Sequence, residues 1–225
     1  MSLFREDFPR LSPVFGPLLC KSPELARFGR FPTIDELNGE ARRLELRTAD
    51  GRQLAFVAAP KRSRRSRRKD PEALPYEIRV AAQGEVETRD DSWHDYFNVL
   101  TWTVFPQLKA ALNARQIEAR EVGVVRSREQ DRLAIFDEGG VLRHAGGGEA
   151  EHFVVGHALY ESLVQGKRGI RALVLDVELP AETASLPLIK RLDLAQRAGA
   201  ARIASGCFAA NGVVWPDCLL DEVAR

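Results

Sequence analysis

Apolar residues are densest between residues 92 and 105, and their spacing predicts a helix that is buried on nearly all sides. Ser92 is a favourable N-cap, and Asp95 stands three residues later, where an acidic side chain suits the first turn of a helix. The apolar positions that repeat at i, i+4, i+7 and i+11 are Trp93, Phe97, Leu100 and Val104.

Other stretches have the patterns of shorter helices and strands. A capping box at Thr33 and Glu36 predicts a short helix near the N-terminus. Two β-hairpins are expected, one turning at Asp50-Gly51 and the other at residues 137–140. Further helices are predicted at residues 107–119, 157–164 and 188–198, and strands at residues 44–48, 53–57, 76–80, 124–125, 132–136, 141–142, 153–155 and 170–177.

Hairpins mixed with helices favour an α+β fold with a mixed or antiparallel sheet over a strictly alternating parallel fold. Residues 1–40 contain five prolines and several phenylalanines, which predicts an N-terminal arm held on the core by its rings. Residues 41–225 are expected to form a single α+β domain around the buried helix at residues 92–105.

Charge is distributed unevenly, although its total is close to zero. The 225 residues include 33 Lys and Arg and 32 Asp and Glu, a formal net charge of +1. Seven basic residues lie between Lys61 and Lys69, and the other 26 basic residues against 32 acidic ones leave a net charge of −6. Since nothing in this segment can be buried, we expect a mobile basic loop at residues 61–70 on a mildly acidic body.

The remaining composition, 44% hydrophobic and 29% charged, is that of an ordinary globular protein. No apolar run approaches the roughly 20 residues of a membrane-spanning helix, and the first ten residues place charges where a secretory signal needs apolar side chains. Cys20, Cys207 and Cys218 are too widely spaced for a zinc motif or a disulfide framework. These features predict a cytoplasmic protein that does not associate with membranes.

Polar side chains interrupt the buried helix on one face. His94, Asn98 and Thr101 stand at i, i+4 and i+7, with Asp95 beside them. Burying such a group without a partner costs about 1–3 kcal/mol, so these side chains need other polar groups, ordered water, a metal ion or a ligand. A structural network in which His94 binds a backbone carbonyl is the alternative.

A second histidine opens a helix directly after a predicted buried strand. His157 follows Gly156, and Glu161 lies one turn further on the same face. The positive end of the helix dipole favours neutral imidazole, the form that binds metal or accepts a proton. Helix capping or packing by His157, and solvent exposure of Glu161, are the structural alternatives.

Asp137 and Glu138 occupy the predicted turn of the second hairpin, where turn formation alone can explain them. Asn113 and Arg115 lie on the helix at residues 107–119, where solvent exposure is the ordinary alternative. Together with the histidines, these groups form a nitrogen and oxygen ligand set, or a set of acids and bases.

Four of these stretches resemble the successive motifs of the bacterial DUF3025 family: residues 92–106, 109–113, 136–139 and 156–161. Residues 76–79 and 87–89 are also similar to that family's pattern, so that the resemblance extends over roughly residues 75–178. The resemblance implies that the motifs belong together. It implies no particular activity, fold or cofactor.

The first functional hypothesis is a metal-assisted hydrolase that acts on a small molecule, with a divalent metal ion as its cofactor. No His-Glu-x-x-His motif, Gly-x-Ser-x-Gly elbow, phosphate-binding loop or dinucleotide fingerprint occurs, which argues against the enzyme classes that carry them. The expected catalytic residues are His94, His157, Asp137 and Glu138; the binding residues are Asn98, Asn113, Arg115 and Glu161; and the candidate metal ligands are His94, Asp95 and His157.

The alternative is a non-catalytic protein that binds nucleic acid or another polyanion between Lys61 and Lys69. Seven cations can contact several phosphates, but the segment has no aromatic residue to stack on bases, and the acidic body repels a polyanion. In a third hypothesis, the polar helix face is only a structural network.

Overall fold

A computed structural model describes residues 3–27, 29–60, 74–121, 124–144, 150–209 and 217–220. The helices in these ranges are α1 (Gly16–Lys21), α2 (Pro23–Arg27), α3 (Ile34–Arg43), α4 (Tyr76–Gln83), α5 (Trp93–Val104), α6 (Pro106–Glu118), α7 (Arg128–Gly139), α8 (His157–Val164) and α9 (Leu188–Ala204). The strands are β1 (Ala55–Ala58), β2 (Glu85–Thr88), β3 (Gly140–His144), β4 (Glu151–Val154), β5 (Arg171–Asp176) and β6 (Asp217–Leu219).

The described strands form two small sheets. Four strands pair in the order β4-β3-β5-β6, with β3 antiparallel to β4 and parallel to β5. β1 and β2 pair separately and in parallel. Because these sheets are combined with long helices that do not alternate regularly with strands, the fold is α+β, as the sequence predicts.

The central helix is the one that the apolar pattern predicts. Eleven of the twelve residues of α5 are buried, and the Ser92 side chain accepts a hydrogen bond from the backbone N–H of Asp95. Rings from the N-terminal segment pack against this helix. Phe4 stacks on Trp93 with ring centroids 5.1 Å apart, and Phe8 meets the same ring edge-on at 5.5 Å.

The strand predicted at residues 76–80 is wrong, because these residues form the first turns of α4. Pro75 precedes this helix, and Gly84 ends it in the left-handed conformation at φ 73°, with its N–H bonded to the carbonyl of Val80. Only the inner face of α4 is buried, at Val80, where the helix packs on α6. The alternating apolar residues therefore belong to a short amphipathic helix.

The second predicted hairpin is also wrong. Residues 132–136 lie in α7, which begins with a capping box between Ser127 and Gln130. Asp137 and Glu138 are consequently in the last turn of a helix rather than in a turn between strands. Residues 124–125 lie outside any strand, with the Val125 side chain fully exposed. The hairpin that does form joins β3 and β4.

The first predicted hairpin is present only at its tip. The N–H of Gly51 donates to the carbonyl of Thr48, and Arg47 pairs with Gln53 in a single antiparallel bridge. Beyond this point, β1 pairs with β2 instead of with residues 44–48. The basic loop predicted at residues 61–70 lies outside the described residues.

The other predicted elements are confirmed, and α9 extends to Ala204, six residues beyond its predicted end. None of the helices in the described part of the chain combines the length and the apolar character that crossing a membrane requires.

Candidate functional site

One face each of α5, α6 and α7 borders a pocket of about 1330 Å³. The residues that line it recur at helical spacing, so a single face of each helix is involved. The positions used below are His94, Asn98 and Trp102 on α5, and Lys109, Asn113 and Gln116 on α6.

Two histidines and one glutamate meet on the wall of this pocket. Nε2 of His94 lies 3.2 Å from Nε2 of His157, and 3.8 Å from Oε1 of Glu138. Oε2 of Glu138 lies 3.3 Å from Nε2 of His157. One ligand atom from each of the three residues can be chosen so that all lie within 4.8 Å of one another. His157 is buried, whereas His94 and Glu138 remain open to the pocket.

Backbone contacts set Glu138 beside His157. The carbonyl of Gly140, at the end of α7, accepts hydrogen bonds from the N–H groups of Val155 and Gly156, which lead into α8. A Cβ at Gly156 would lie 2.5 Å from the backbone oxygen of Glu138. Only a glycine therefore lets the start of α8 approach the end of α7 this closely.

The histidine spacing fits a single metal ion. Two imidazole nitrogens that bind one tetrahedral Zn²⁺ at about 2.0–2.1 Å lie about 3.3 Å apart. The observed separation between the Nε2 atoms of His94 and His157 is 3.2 Å. Nitrogen and carboxylate ligands of this kind suit zinc and other divalent transition metals.

Glu161 holds His94 from the side away from His157. Its Oε2 lies 3.2 Å from Nδ1 of His94, and its Oε1 accepts a hydrogen bond from the Gln165 amide. A carboxylate in this position fixes a proton on Nδ1 and leaves the lone pair of Nε2 free. His94 therefore presents the correct nitrogen to a metal ion or to a proton.

A buried ion pair lies beside the histidines. The Lys109 side chain is 3% exposed, and its Nζ donates to Asp137 Oδ1 at 2.5 Å and to Asn98 Oδ1 at 2.9 Å. The same ammonium lies over the Trp102 ring, 5.6 Å from the centroid. Burial alone would raise the pKa of Asp137, but Lys109 and the two histidines outweigh it and lower that pKa. Asp137 is thus an ionised group rather than a proton donor at neutral pH.

Glu138 and Tyr76 complete the polar lining near the cluster. Burial opposes ionisation of Glu138, but its hydrogen bond with His157 and its electrostatic interaction with the two imidazoles lower its pKa on balance. Burial of the Tyr76 hydroxyl and the nearby Asp137 carboxylate raise the pKa of Tyr76. The amide of Asn98 donates to this hydroxyl at 3.4 Å. Tyr76 consequently stays protonated and can donate a hydrogen bond.

One atom of the cluster lacks a partner. Nδ1 of His157 is buried and has no hydrogen bond within the described residues. When a metal binds Nε2, Nδ1 carries a proton, and an N–H group buried without an acceptor costs about 1–3 kcal/mol. This nitrogen is the feature that fits a metal site least well.

Two other residues predicted for the site, Asn113 and Asp95, line the pocket but do not belong to the cluster of His94, His157 and Glu138. Asn113 lines the pocket and donates to the backbone carbonyl of Glu77 at 2.9 Å. The Asp95 carboxylate is held by Arg89 through Nε and Nη2 at 2.7 and 2.8 Å, outside the metal-ligand group. This contact, set against burial, lowers the pKa of Asp95.

Arg115 does not line the pocket that contains the histidines. Its guanidinium binds Glu129 at 2.7 Å and Glu118 at 3.1 Å, on a different face of α6.

Lys109, Tyr76 and Gln116 were not expected in the site. A lysine among Leu108, Ala110 and Leu112 is a detectable signal, since its charge stands within an apolar stretch. The i, i+4, i+7 spacing of Lys109, Asn113 and Gln116 also places three polar side chains on one helix face. Tyr76 gives no such signal, because its position depends on the packing of α4 on α6.

No match was found among the curated proteins or among the solved structures. A family model matches residues 64–145, which include the motifs at residues 92–106, 109–113 and 136–139. The match begins inside the basic segment and ends before the motif at residues 156–161. Over the matched part, the chain resembles the family described as "Protein of unknown function (DUF3025)".

Proposed function

We propose that this protein is a hydrolase that uses a divalent metal ion held by His94, His157 and Glu138. In such enzymes, the metal lowers the pKa of a bound water to about 7, so that hydroxide forms near neutral pH and attacks the substrate. Three protein ligands leave coordination positions open for water and substrate. A pocket of about 1330 Å³ is large enough for a small molecule beside them.

The observation that carries this proposal is the 3.2 Å separation of the two Nε2 atoms, with a glutamate oxygen 3.3 Å from one of them. Two imidazole nitrogens repel each other at this distance unless a proton or a metal ion lies between their lone pairs. The Glu161 carboxylate at Nδ1 of His94 favours a metal ion over a proton, because it orients the imidazole ring and makes Nε2 more basic.

The neighbouring residues have supporting roles in this hydrolase. Glu161 orients His94. Lys109 holds Asp137 and Asn98 in place by donating a hydrogen bond to each. Asp137 is a weak base because its pKa is lowered, so it serves as a fixed negative charge near the metal rather than as the group that deprotonates water. The hydroxyl of Tyr76 donates a hydrogen bond to the substrate.

The unpartnered Nδ1 of His157 favours a second candidate function, acid–base catalysis without a metal. Here Nε2–H of His157 donates to Nε2 of His94, whose Nδ1–H donates to Glu161. Nδ1 of His157 is then a bare acceptor, and buried acceptors without a partner are less rare than buried N–H groups without one. The two candidates differ in a single measurable property, metal binding.

Calorimetric titration of the chelator-treated protein with Zn²⁺ and Mn²⁺ decides between them. The metal hydrolase binds one equivalent of at least one ion, and His94→Ala and Glu138→Gln each weaken that binding by tenfold or more. His152→Ala on β4 is the matched control, because this histidine lies outside the cluster, and it leaves the affinity unchanged. Absence of binding, or equal affinity in all variants, refutes the metal site and leaves the acid–base pair.

Hydrolysis is tested separately with chromogenic carboxylic esters, amides and phosphate esters. The expected result is turnover of one class by the metal-loaded protein, lost on chelation and restored when the metal is added back. Glu138→Gln removes this turnover, whereas His152→Ala retains it. Turnover that is the same in Glu138→Gln belongs to a contaminant or to another site.

Two predictions from the sequence remain beside this proposal. Binding of nucleic acid or another polyanion between Lys61 and Lys69 concerns residues outside the described ranges, and it is tested by retention on heparin with and without this segment. A cytoplasmic location rests on the composition and on the wide spacing of the three cysteines in the sequence. Fractionation of cells that express the protein tests it.

A further inference from the structure

The pocket continues from the histidine cluster along the groove between α6 and α7. These helices run antiparallel: Lys109 contacts Asp137 at one end, and the Gln130 side chain donates to the backbone carbonyl of Gln116 at 3.0 Å at the other. Seven residues separate Lys109 from Gln116, which corresponds to about 10 Å along a helix. We call this part of the groove the distal arm. It is lined by Glu77, Leu112, Asn113, Gln116, Arg126 and Ile135.

A residue that lines the distal arm has a buried acceptor without a described partner. Gln116 is 6% exposed and lines the pocket, and its Oε1 has no hydrogen bond with any residue that the structure describes. An amide oxygen left in this state costs about 1–3 kcal/mol. A ligand group that donates a hydrogen bond would recover this energy.

The charged side chains of the pocket also favour a donor. Each lysine or arginine among the lining residues that the structure describes is paired with a carboxylate. The pairs are Arg89 with Asp95 at 2.7 Å, Lys109 with Asp137 at 2.5 Å, and Arg126 with Asp131 at 3.0 Å. The carboxylates of Glu77 and Asp90, by contrast, line the pocket and form no ion pair with any described residue. Among the described residues of the pocket, an anionic ligand would meet no unpaired cation, whereas a cationic ligand would meet two unpaired carboxylates.

The walls of the distal arm are partly aliphatic. Leu112 is buried in the wall, and Ile135 is 57% exposed although it lines the pocket. An alkyl chain that covers such a side chain contributes about 25 cal/mol for each Å² of apolar surface that it removes from water. The arm thus combines an aliphatic wall with the unpartnered amide oxygen of Gln116.

We propose that the substrate carries a primary amine on an aliphatic chain, which lies along Leu112 and Ile135 and places its ammonium at Oε1 of Gln116, with the Glu77 carboxylate in the same pocket. The proposal rests on the proposed function, because it specifies the substrate of the same metal site. The reacting bond lies at the histidine cluster, and the amine serves as the recognition group at Gln116, about two helical turns beyond Lys109 on α6.

The test uses chelator-treated full-length protein, so that no probe can bind through a metal ion. The probes are n-hexylamine, 1-hexanol and hexanoate, which share a chain length and differ in the charge and hydrogen bonding of one end. Binding is measured by calorimetry at pH 7.5, where the amine is protonated. We expect n-hexylamine to bind at least tenfold more tightly than 1-hexanol, and hexanoate to bind least.

Variants assign the binding to the distal arm. Gln116→Leu is expected to weaken n-hexylamine binding by tenfold or more, and Glu77→Gln by a few-fold. Gln116→Glu, which keeps the shape of the side chain and adds a charge, is expected to strengthen it. Glu118→Gln is the matched control, because Glu118 lies on another face of α6 beside Arg115, and it leaves the affinity unchanged.

The proposal is overturned by equal binding of the three probes, by preference for hexanoate or by no binding of the amine. It is also overturned if Gln116→Leu keeps the full amine affinity and Gln116→Glu shows no gain. Thermal melting of each variant excludes misfolding as the cause of a loss, and Gln116→Glu gives a gain that misfolding cannot produce. Metal titration of the same preparations keeps the two proposals separate. Amine binding without metal binding refutes only the metal site, and metal binding without amine binding refutes only the distal arm.

Discussion

Replacing Lys109 with methionine removes the only cation that contacts Asp137 and Asn98 in the described structure, and leaves a chain of similar length over Trp102. Breaking a buried ion pair by removing one partner costs about 3–5 kcal/mol, because the other charge stays desolvated. The Asp137 side chain is 24% exposed and can gain some water, so the lower end of this range applies. We expect Lys109→Met to lose about 3 kcal/mol of unfolding free energy at pH 7.

The sign of the pH dependence provides a second check. In the wild type, the pKa of Asp137 is lowered, so its contribution to stability is present above the unfolded pKa and is lost as the pH falls through the folded pKa. Without Lys109, burial is opposed only by the histidines, and the pKa rises. An ionised carboxylate with a raised pKa destabilises the fold at neutral pH. Protonation removes this destabilisation as the pH falls. The stability difference between wild type and variant therefore shrinks between pH 7 and about pH 4.

Urea unfolding followed by far-ultraviolet circular dichroism at pH 7 and pH 4.5 measures both quantities. The double variant Lys109→Met/Asp137→Asn is the control, because it removes both charges, and it is expected to recover part of the loss. A loss below about 1 kcal/mol, a loss that is the same at both pH values, or a double variant less stable than the single one would contradict the assignment of a buried ion pair.

Three further predictions follow from individual contacts. Glu161→Gln is expected to lower divalent-metal affinity by about tenfold without a change in melting temperature, measured by calorimetry and thermal unfolding. Asp95→Asn loses the charge that Arg89 binds and is expected to cost about 1–3 kcal/mol at pH 7; because the pKa of Asp95 is lowered, the difference from wild type disappears as the pH falls through that pKa. Gly156→Ala forces a methyl group to 2.5 Å from the backbone of Glu138, so urea unfolding is expected to show a loss of about 3 kcal/mol, and calorimetry a loss of metal binding; an unchanged midpoint in urea would refute this packing.

The parts of the fold that the sequence predicts correctly are those where one local signal dominates. In α5, nearly continuous apolar residues and the Ser92 cap both indicate a buried helix, and burial of eleven residues agrees. In α4 and α7, local signals conflict. β-Branched and aromatic residues at 76–80 favour a strand, and the Asp137-Glu138 pair before two glycines favours a turn. The capping box at Ser127 was the available signal for α7.

In the candidate site, too, some residues have a local signal in the sequence and others do not. Polar residues on a buried helix are informative because burial makes them expensive, so His94 and Asn98 could be recognised from the sequence. A lysine on a helix is ordinarily solvent-exposed, and the partner that keeps Lys109 buried lies 28 residues further along the chain. The spacing of Lys109, Asn113 and Gln116 marks a polar face on α6, but the pairing of Lys109 with Asp137 and the unpartnered acceptor of Gln116 appear only when α6 and α7 are placed together.

The position of Glu138 relative to His157 depends on backbone contact, which explains why neither the spacing nor the residue types could predict it. The hydrogen bonds from Val155 and Gly156 to the Gly140 carbonyl join the end of α7 to the start of α8 across the base of the β3–β4 hairpin. This connection is made by the first residue of β3 and the two residues that follow β4. The distance between carboxylate and imidazole is therefore set at the base of the hairpin, where a side chain at position 156 would occupy the space that α7 needs.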